Sequence, residues 1–150
     1  MNKRSTLKLM SALALSVGLA MPVLAADTPA TLKGTTLVSA AEVKTLLGKG
    51  VPVIDTRVAA EFAEKTILGA KNVPYKEKSA KDVNFDPAQD SFDLTKLPTD
   101  KAAPVVFFCN SGSCWKSYKA SVAAIKAGYS KVQWFRGGMP EWVAAGLPTQ

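Results

Sequence analysis

Two cysteines carry the chemistry that this sequence offers. Cys109 and Cys114 lie five residues apart in the stretch VVFFCNSGSCWKS, residues 105–117. A run of β-formers, Val105 to Phe108, ends on Cys109, and the small residues Asn110, Ser111, Gly112 and Ser113 lead to Cys114. Trp115 then opens a helical pattern, WKSYKASVAAIKAG. A thiol at the end of a buried strand, facing a helix N-terminus, has loop N–H groups and the helix dipole converging on its sulfur. Both favour the thiolate, the form that attacks another sulfur. The bland alternative is a buried cysteine that merely ends a core strand. The Gly/Ser-rich loop and the second cysteine argue for function.

The chain contains no histidine. That excludes Ser-His and Cys-His mechanisms and any histidine-ligated zinc site. A nucleophilic cysteine here must be activated by backbone dipoles and by lysine or arginine charge. No metal ligand set and no cofactor-binding motif stands out. Cys114 has two readings: a small bystander, or a partner that pairs with Cys109 to protect or resolve it. Disulfide geometry requires Cα atoms roughly 4.4–6.8 Å apart, and a loop curled around a sulfur can bring positions five apart within that range.

The elements that position these residues follow from pattern. Val51 to Ile54, closing on Asp55, reads as a buried parallel strand. Thr35 to Val38, 72–74, 104–108 and 131–135 read as further strands. Ser39 and Glu42 match a capping box ahead of a helix whose apolar face is Val43, Leu46 and Leu47. Helices are expected over 58–63, 115–127 and 139–145. The polar stretch 75–101 reads as loop with one helical turn near Leu94. Strands alternate with helices, which predicts an α/β fold, a parallel sheet with helices on both faces. Ligands on such sheets sit at the carboxyl ends of the strands, and Asp55, Cys109 and Arg136 all fall at such ends.

The first 25 residues have the pattern of a secretory signal peptide. Lys3, Arg4 and Lys8 form a basic start, residues 9–19 are largely apolar, and Ala25 ends a small-residue cleavage site. The apolar run is shorter than the roughly 20 residues that span a bilayer, so no stable membrane anchor is expected after cleavage. Export to the periplasm or the outside is the expectation. Residues 26–34 read as a flexible polar leader and 35–150 as one domain. The formal charge of the whole chain is +7, from 19 basic and 12 acidic residues. Without the three basic groups of the signal, sixteen face twelve, a net +4. No basic arm with interleaved aromatics appears, which argues against nucleic acid and suits small anions.

Four segments together resemble the rhodanese-like family. VPVIDTRVAAEF (51–62) resembles its D-x-R-x-x-x-E-[FY] signature, and ILGAKNVP (67–74) its I-x-G-A-x-N-[VI]-P element. Cys109 to Gly112 resembles the C-x-x-G start of the family's loop, and residues 128–148 its closing G-[YF]-x-x-V…L-x-G-G…W…G-x-P pattern. The resemblance implies the rhodanese-like fold and a sulfurtransferase. Cys109 would accept a sulfane sulfur as a persulfide and pass it to cyanide or a thiol. The loop backbone from Asn110 through Ser111, Gly112, Ser113 and Cys114 to Trp115 would bind a small sulfur-containing anion or thiol substrate. Asp55 and Arg57 would support the loop through ion pairs and hydrogen bonds, with Glu61 as a further acceptor.

The sequence departs from the family pattern in two places. Lys65-Thr66 stands where the family usually has histidine, and Cys114 where many members have arginine. Lys116 and Lys119 are candidates to replace that lost charge, with Arg136 as further support. The Cys114-Trp115 pair is similar to one in exported rhodanese-like proteins associated with quinone-dependent alcohol oxidation, which implies an exported partner enzyme. The phosphatases built on the same fold need arginine six residues after the cysteine to grip phosphate. Trp115 occupies that place, which disfavours phosphatase activity. Three readings stay open: a sulfurtransferase using Cys109, a thiol-disulfide protein using the candidate redox pair Cys109 and Cys114, and a non-catalytic binding module. Trp142 is expected in the core, with Trp115 and Trp134 as candidates for a pocket rim.

Overall fold

The computed structural model describes residues 26–150, so the signal-peptide reading of residues 1–25 lies outside the described residues. Five parallel strands form one sheet: β1 (Thr35–Leu37), β2 (Val53–Asp55), β3 (Lys71–Asn72), β4 (Val105–Phe108) and β5 (Val132–Phe135). Their order across the sheet is β1-β5-β4-β2-β3. The helices are α1 (Ala40–Gly48), α2 (Ala59–Glu64), α3 (Trp115–Lys126) and α4 (Gly138–Ala144). This is the α/β architecture that the alternating pattern predicts. No helix among the described residues is long and apolar enough to cross a membrane.

Alternation along the strands divides the core between two faces. Val53, Val106, Phe108 and Phe135 pack under Val43 of α1 and Met139 and Trp142 of α4. Ile54, Val105, Phe107 and Val132 pack under Ala120 and Ala124 of α3 and under Tyr75 and Leu97 of the long connection to β4. The expected capping box starts α1. The Ser39 hydroxyl accepts from the Glu42 N–H, and the Glu42 carboxylate accepts from the Ser39 N–H at 2.7 Å.

Several boundaries differ from the sequence reading. β2 begins at Val53 and contains Asp55; Pro52, lacking an N–H, stands outside it. The 75–101 stretch holds two 3-10 turns, Pro87–Gln89 as well as the expected Leu94–Lys96. Asp86 and Asp93 each cap one by accepting from the N–H two residues on. Trp134 is 1% exposed and donates its ring N–H to Ser117 Oγ, so it belongs to the core and not to a pocket rim.

Candidate active site

Strand register sets the site. Asp55 pairs with Phe108, and Phe108 with Phe135, on one rung of the sheet. Thr56, Cys109 and Arg136 therefore leave the sheet together at its carboxyl end. Thr56 extends the ladder by donating its N–H and hydroxyl to Phe108 O, at 3.1 and 2.9 Å.

Cys109 is 1% exposed. Its carbonyl accepts from Met139 N–H at 3.0 Å. Gly138, at φ +58, lies against that same carbonyl, and an added Cβ would run into it. Only glycine combines this conformation with so close an approach.

A polar lattice holds the loop from the β2 side. Arg57 forms a buried ion pair with Asp55 at 2.7 Å and donates to Lys65 O. It also reaches Asn110 Oδ1 at 3.4 Å, while Asn110 Nδ2 donates to Glu61 Oε1 at 2.7 Å. Thr66, in the place of the family's histidine, donates its hydroxyl to Asp55 Oδ2 at 2.9 Å. Asn72 ties the end of β2 by donating to the carbonyls of Asp55 and Arg57. Every carboxylate and guanidinium in this set has a charged or hydrogen-bonded partner, which makes its burial tolerable.

Cys109 and Cys114 are joined by a disulfide, with their Cα atoms 6.2 Å apart. Cys114 is also the N-cap residue of α3, and its N–H donates to Ser111 O at 3.0 Å. Ser113 N–H turns to Ser111 Oγ, and the Ser111 and Ser113 hydroxyls are 2.8 Å apart. In this oxidised form those two N–H groups serve the loop itself rather than the Cys109 sulfur.

The leader, read from sequence as flexible, makes specific contacts with the loop. Thr28 donates its N–H and hydroxyl to Gly112 O at 2.8 and 2.6 Å, and is 3% exposed. Trp115 donates its ring N–H to Ala26 O. Arg136 donates to Thr28 O, Thr28 Oγ1 and Pro29 O, with its guanidinium against Gly112. The leader thus straps the loop on the β5 side and holds Arg136 beside it. No local sequence signal marks this, because Thr28 meets partners 84 and 108 residues away.

The two lysines of α3 separate. Lys116 lines a cleft of about 430 Å³ with Val58, Pro74, Lys76 and Lys78. Lys119 is fully buried and points away from the loop. Its Nζ lies 2.9 Å from Glu77 Oε2 and 3.8 Å from Asp90 Oδ2, donates to Ser79 Oγ, and sits 4.9 Å from the centre of the Phe85 ring. Lys119 therefore does not replace the missing arginine. Asp90 accepts from Tyr75 OH, Ser79 Oγ and the N–H groups of Lys78 and Ser79. Burial pushes its carboxyl up, but these donors outweigh burial and hold it down at about 2. Burial and the neighbouring Asp90 push the Tyr75 hydroxyl well above its ordinary value.

The family model of the rhodanese-like domain matches residues 39–145. The chain belongs to the rhodanese-like family. This rhodanese-like domain is 30% identical over 105 residues to thiosulfate sulfurtransferase 16, chloroplastic, of Arabidopsis thaliana, covering 70% of this chain and 84% of the relative. It is 31% identical over 98 residues to a sulfurtransferase of Allochromatium vinosum, covering 65% and 77%. The fold matches the solution structure of a polysulfide-sulfur transferase homodimer from Wolinella succinogenes. There the TM-score is 0.56 at 22% identity, over 78% of this chain and 79% of the other. The sulfurtransferase relatives support sulfurtransferase-family activity for this rhodanese-like domain.

Proposed function

We propose that the protein is a sulfurtransferase in which Cys109 accepts a sulfane sulfur from a donor such as thiosulfate and passes it to a thiophilic acceptor. The observation that carries this reading is the seating of Cys109. It lies at the end of β4, in a loop that closes on the N-terminus of α3 and is braced by the Asp55–Arg57–Asn110–Glu61 lattice. A thiolate there attacks the outer sulfur of thiosulfate, sulfite leaves with the electron pair of the broken S–S bond, and Cys109 becomes a persulfide. Charge is conserved, because one anion and one dianion enter and leave. Arg136, held beside Gly112, supplies positive charge near the loop. From the disulfide form, reduction precedes the first attack. Export and an exported partner enzyme are part of this proposal.

The disulfide itself favours a second reading, thiol-disulfide exchange with no sulfur transfer. Sulfite release separates the two, because it reports acceptance of sulfur whatever happens to the sulfur afterwards. The reduced protein, supplied with thiosulfate and a dithiol, should release sulfite continuously. Cys109→Ser, nearly isosteric and unable to form a persulfide, should fall to the uncatalysed background. Sulfite release by the serine variant at a substantial fraction of the wild-type rate would remove Cys109 from the role, and none from the wild type would favour the second reading.

A further inference from the structure

We infer that Cys114 is a resolving thiol, which makes the protein a sulfide-releasing reductase of sulfane sulfur rather than only a carrier of it. The inference rests on the Cys109 persulfide of the proposed function and adds the fate of the sulfur. It starts from the disulfide, which shows that Cys114 Sγ reaches Cys109 Sγ with the loop hydrogen bonds, the leader contacts and α3 all in place.

In the persulfide, the Cys109 Sγ is the inner sulfur. The Cys114 thiol gives its proton to the outer sulfur of the persulfide anion and attacks the inner sulfur as thiolate. The Cys109–Cys114 bond forms, the bond to the outer sulfur breaks, and the outer sulfur leaves as hydrosulfide with the electron pair. The sulfane sulfur is reduced by two electrons and the two thiols are oxidised to the disulfide. An external dithiol then reduces the disulfide by exchange and closes the cycle.

Three observations favour internal attack over transfer to an outside acceptor. Cys114 stands on Cys109 Sγ, the atom its attack requires, whereas an outside acceptor must first enter the loop to reach the outer sulfur. An intramolecular nucleophile held in reacting geometry has already met the entropic cost of encounter, an advantage corresponding to effective concentrations far above those of cellular thiols. Cys114 is also the N-cap residue of a twelve-residue helix, and its side chain makes no capping hydrogen bond. Its place at the N-terminus puts it at the positive end of the helix dipole, which favours a thiolate there once the disulfide is reduced. Family members with arginine at this position have no thiol there to do this.

The test is a single turnover without reductant, because a free dithiol would itself take the outer sulfur and mask the step. Reduced, desalted protein is mixed with thiosulfate, or with benzenethiosulfonate as a second donor. Sulfide is swept out in nitrogen and counted, and the protein is weighed by intact mass spectrometry. The wild type should release one sulfide per chain and end two hydrogens lighter than the reduced protein. Cys114→Ser and Cys114→Ala should each end one sulfur heavier and release none. A wild type that keeps the extra sulfur and releases no sulfide overturns the inference while leaving the persulfide intact. So does a Cys114 variant that releases sulfide as the wild type does. If no protein acquires sulfur from either donor, the persulfide reading itself fails and this inference fails with it.

Discussion

Replacing Lys119 with methionine removes a buried cation and little volume. The ammonium makes a 2.9 Å ion pair with Glu77 and a 3.8 Å contact with Asp90, and both carboxylates are almost fully buried. Glu77 Oε2 has no hydrogen-bond donor of its own, so Lys119 is its one compensation among the described residues. Asp90 keeps its four hydrogen bonds and suffers less. Breaking a buried pair on one side costs about 3–5 kcal/mol, since an uncompensated charge stays inside. A domain of this size has roughly 5–15 kcal/mol in all. Its melting temperature should therefore fall by roughly 10–20 °C. Urea titration followed by the fluorescence of the buried tryptophans gives the loss directly. Glu77→Gln in the Lys119→Met background removes the stranded charge and should recover part of the loss. Sulfite release per folded molecule should stay near the wild-type value, because every contact of Nζ lies with residues 77–90. A variant as stable as the wild type would refute the electrostatic reasoning, and one that folds well but loses activity would return Lys119 to the active site.

Two further outcomes follow from the same geometry. Gly138→Ala forces a left-handed residue and drives a Cβ into the Cys109 carbonyl. It should cost about 2 kcal/mol or more and cut sulfite release at least tenfold, whereas Gly146→Ala, at φ +67 with open space around it, should cost about 1 kcal/mol and leave activity alone; equal behaviour of the two would refute the close-approach argument. The folded Asp90 carboxyl sits at about 2, below the ordinary unfolded value of about 3.9, so its contribution is complete above that value and is lost as pH falls toward 2. Urea midpoints measured between these limits should fall for the wild type and fall less steeply for Asp90→Asn, which starts lower at neutral pH.

The β4–loop–α3 unit was legible because a short buried run, a cluster of small residues and a helical pattern follow one another within a few residues. Asp55 and Arg136 were legible for the same reason, each lying where an apolar strand stops. The pairing of Cys109 with Cys114 was open, since spacing permits a disulfide but does not impose one. Lys119 was misread because α3 carries Lys116, Lys119 and Lys126 alike. Which of them is buried depends on acids 29 and 42 residues upstream, in a loop without periodicity. Thr28 was invisible for a stronger reason. A short polar stretch with a proline has no preference of its own, and its placement comes from partners contributed by the loop, Trp115 of α3 and Arg136 after β5.

That dependence dictates when the site can be completed. Among the described residues β1 pairs only with β5, and the leader's ties to Arg136 bridge 107 and 108 residues. A chain that emerges from its amino end therefore presents its leader and first strand long before either has anything to bind. Loop-closure entropy grows slowly with length, so the long wait adds only about 0.6 kcal/mol for each doubling of the span. The delay is one of order rather than of energy. Long sequence separation places these ties late in folding, and a chain cut short before Val132 leaves β1 without its partner strand and the leader without Arg136, keeping only its contacts to Gly112 and Trp115.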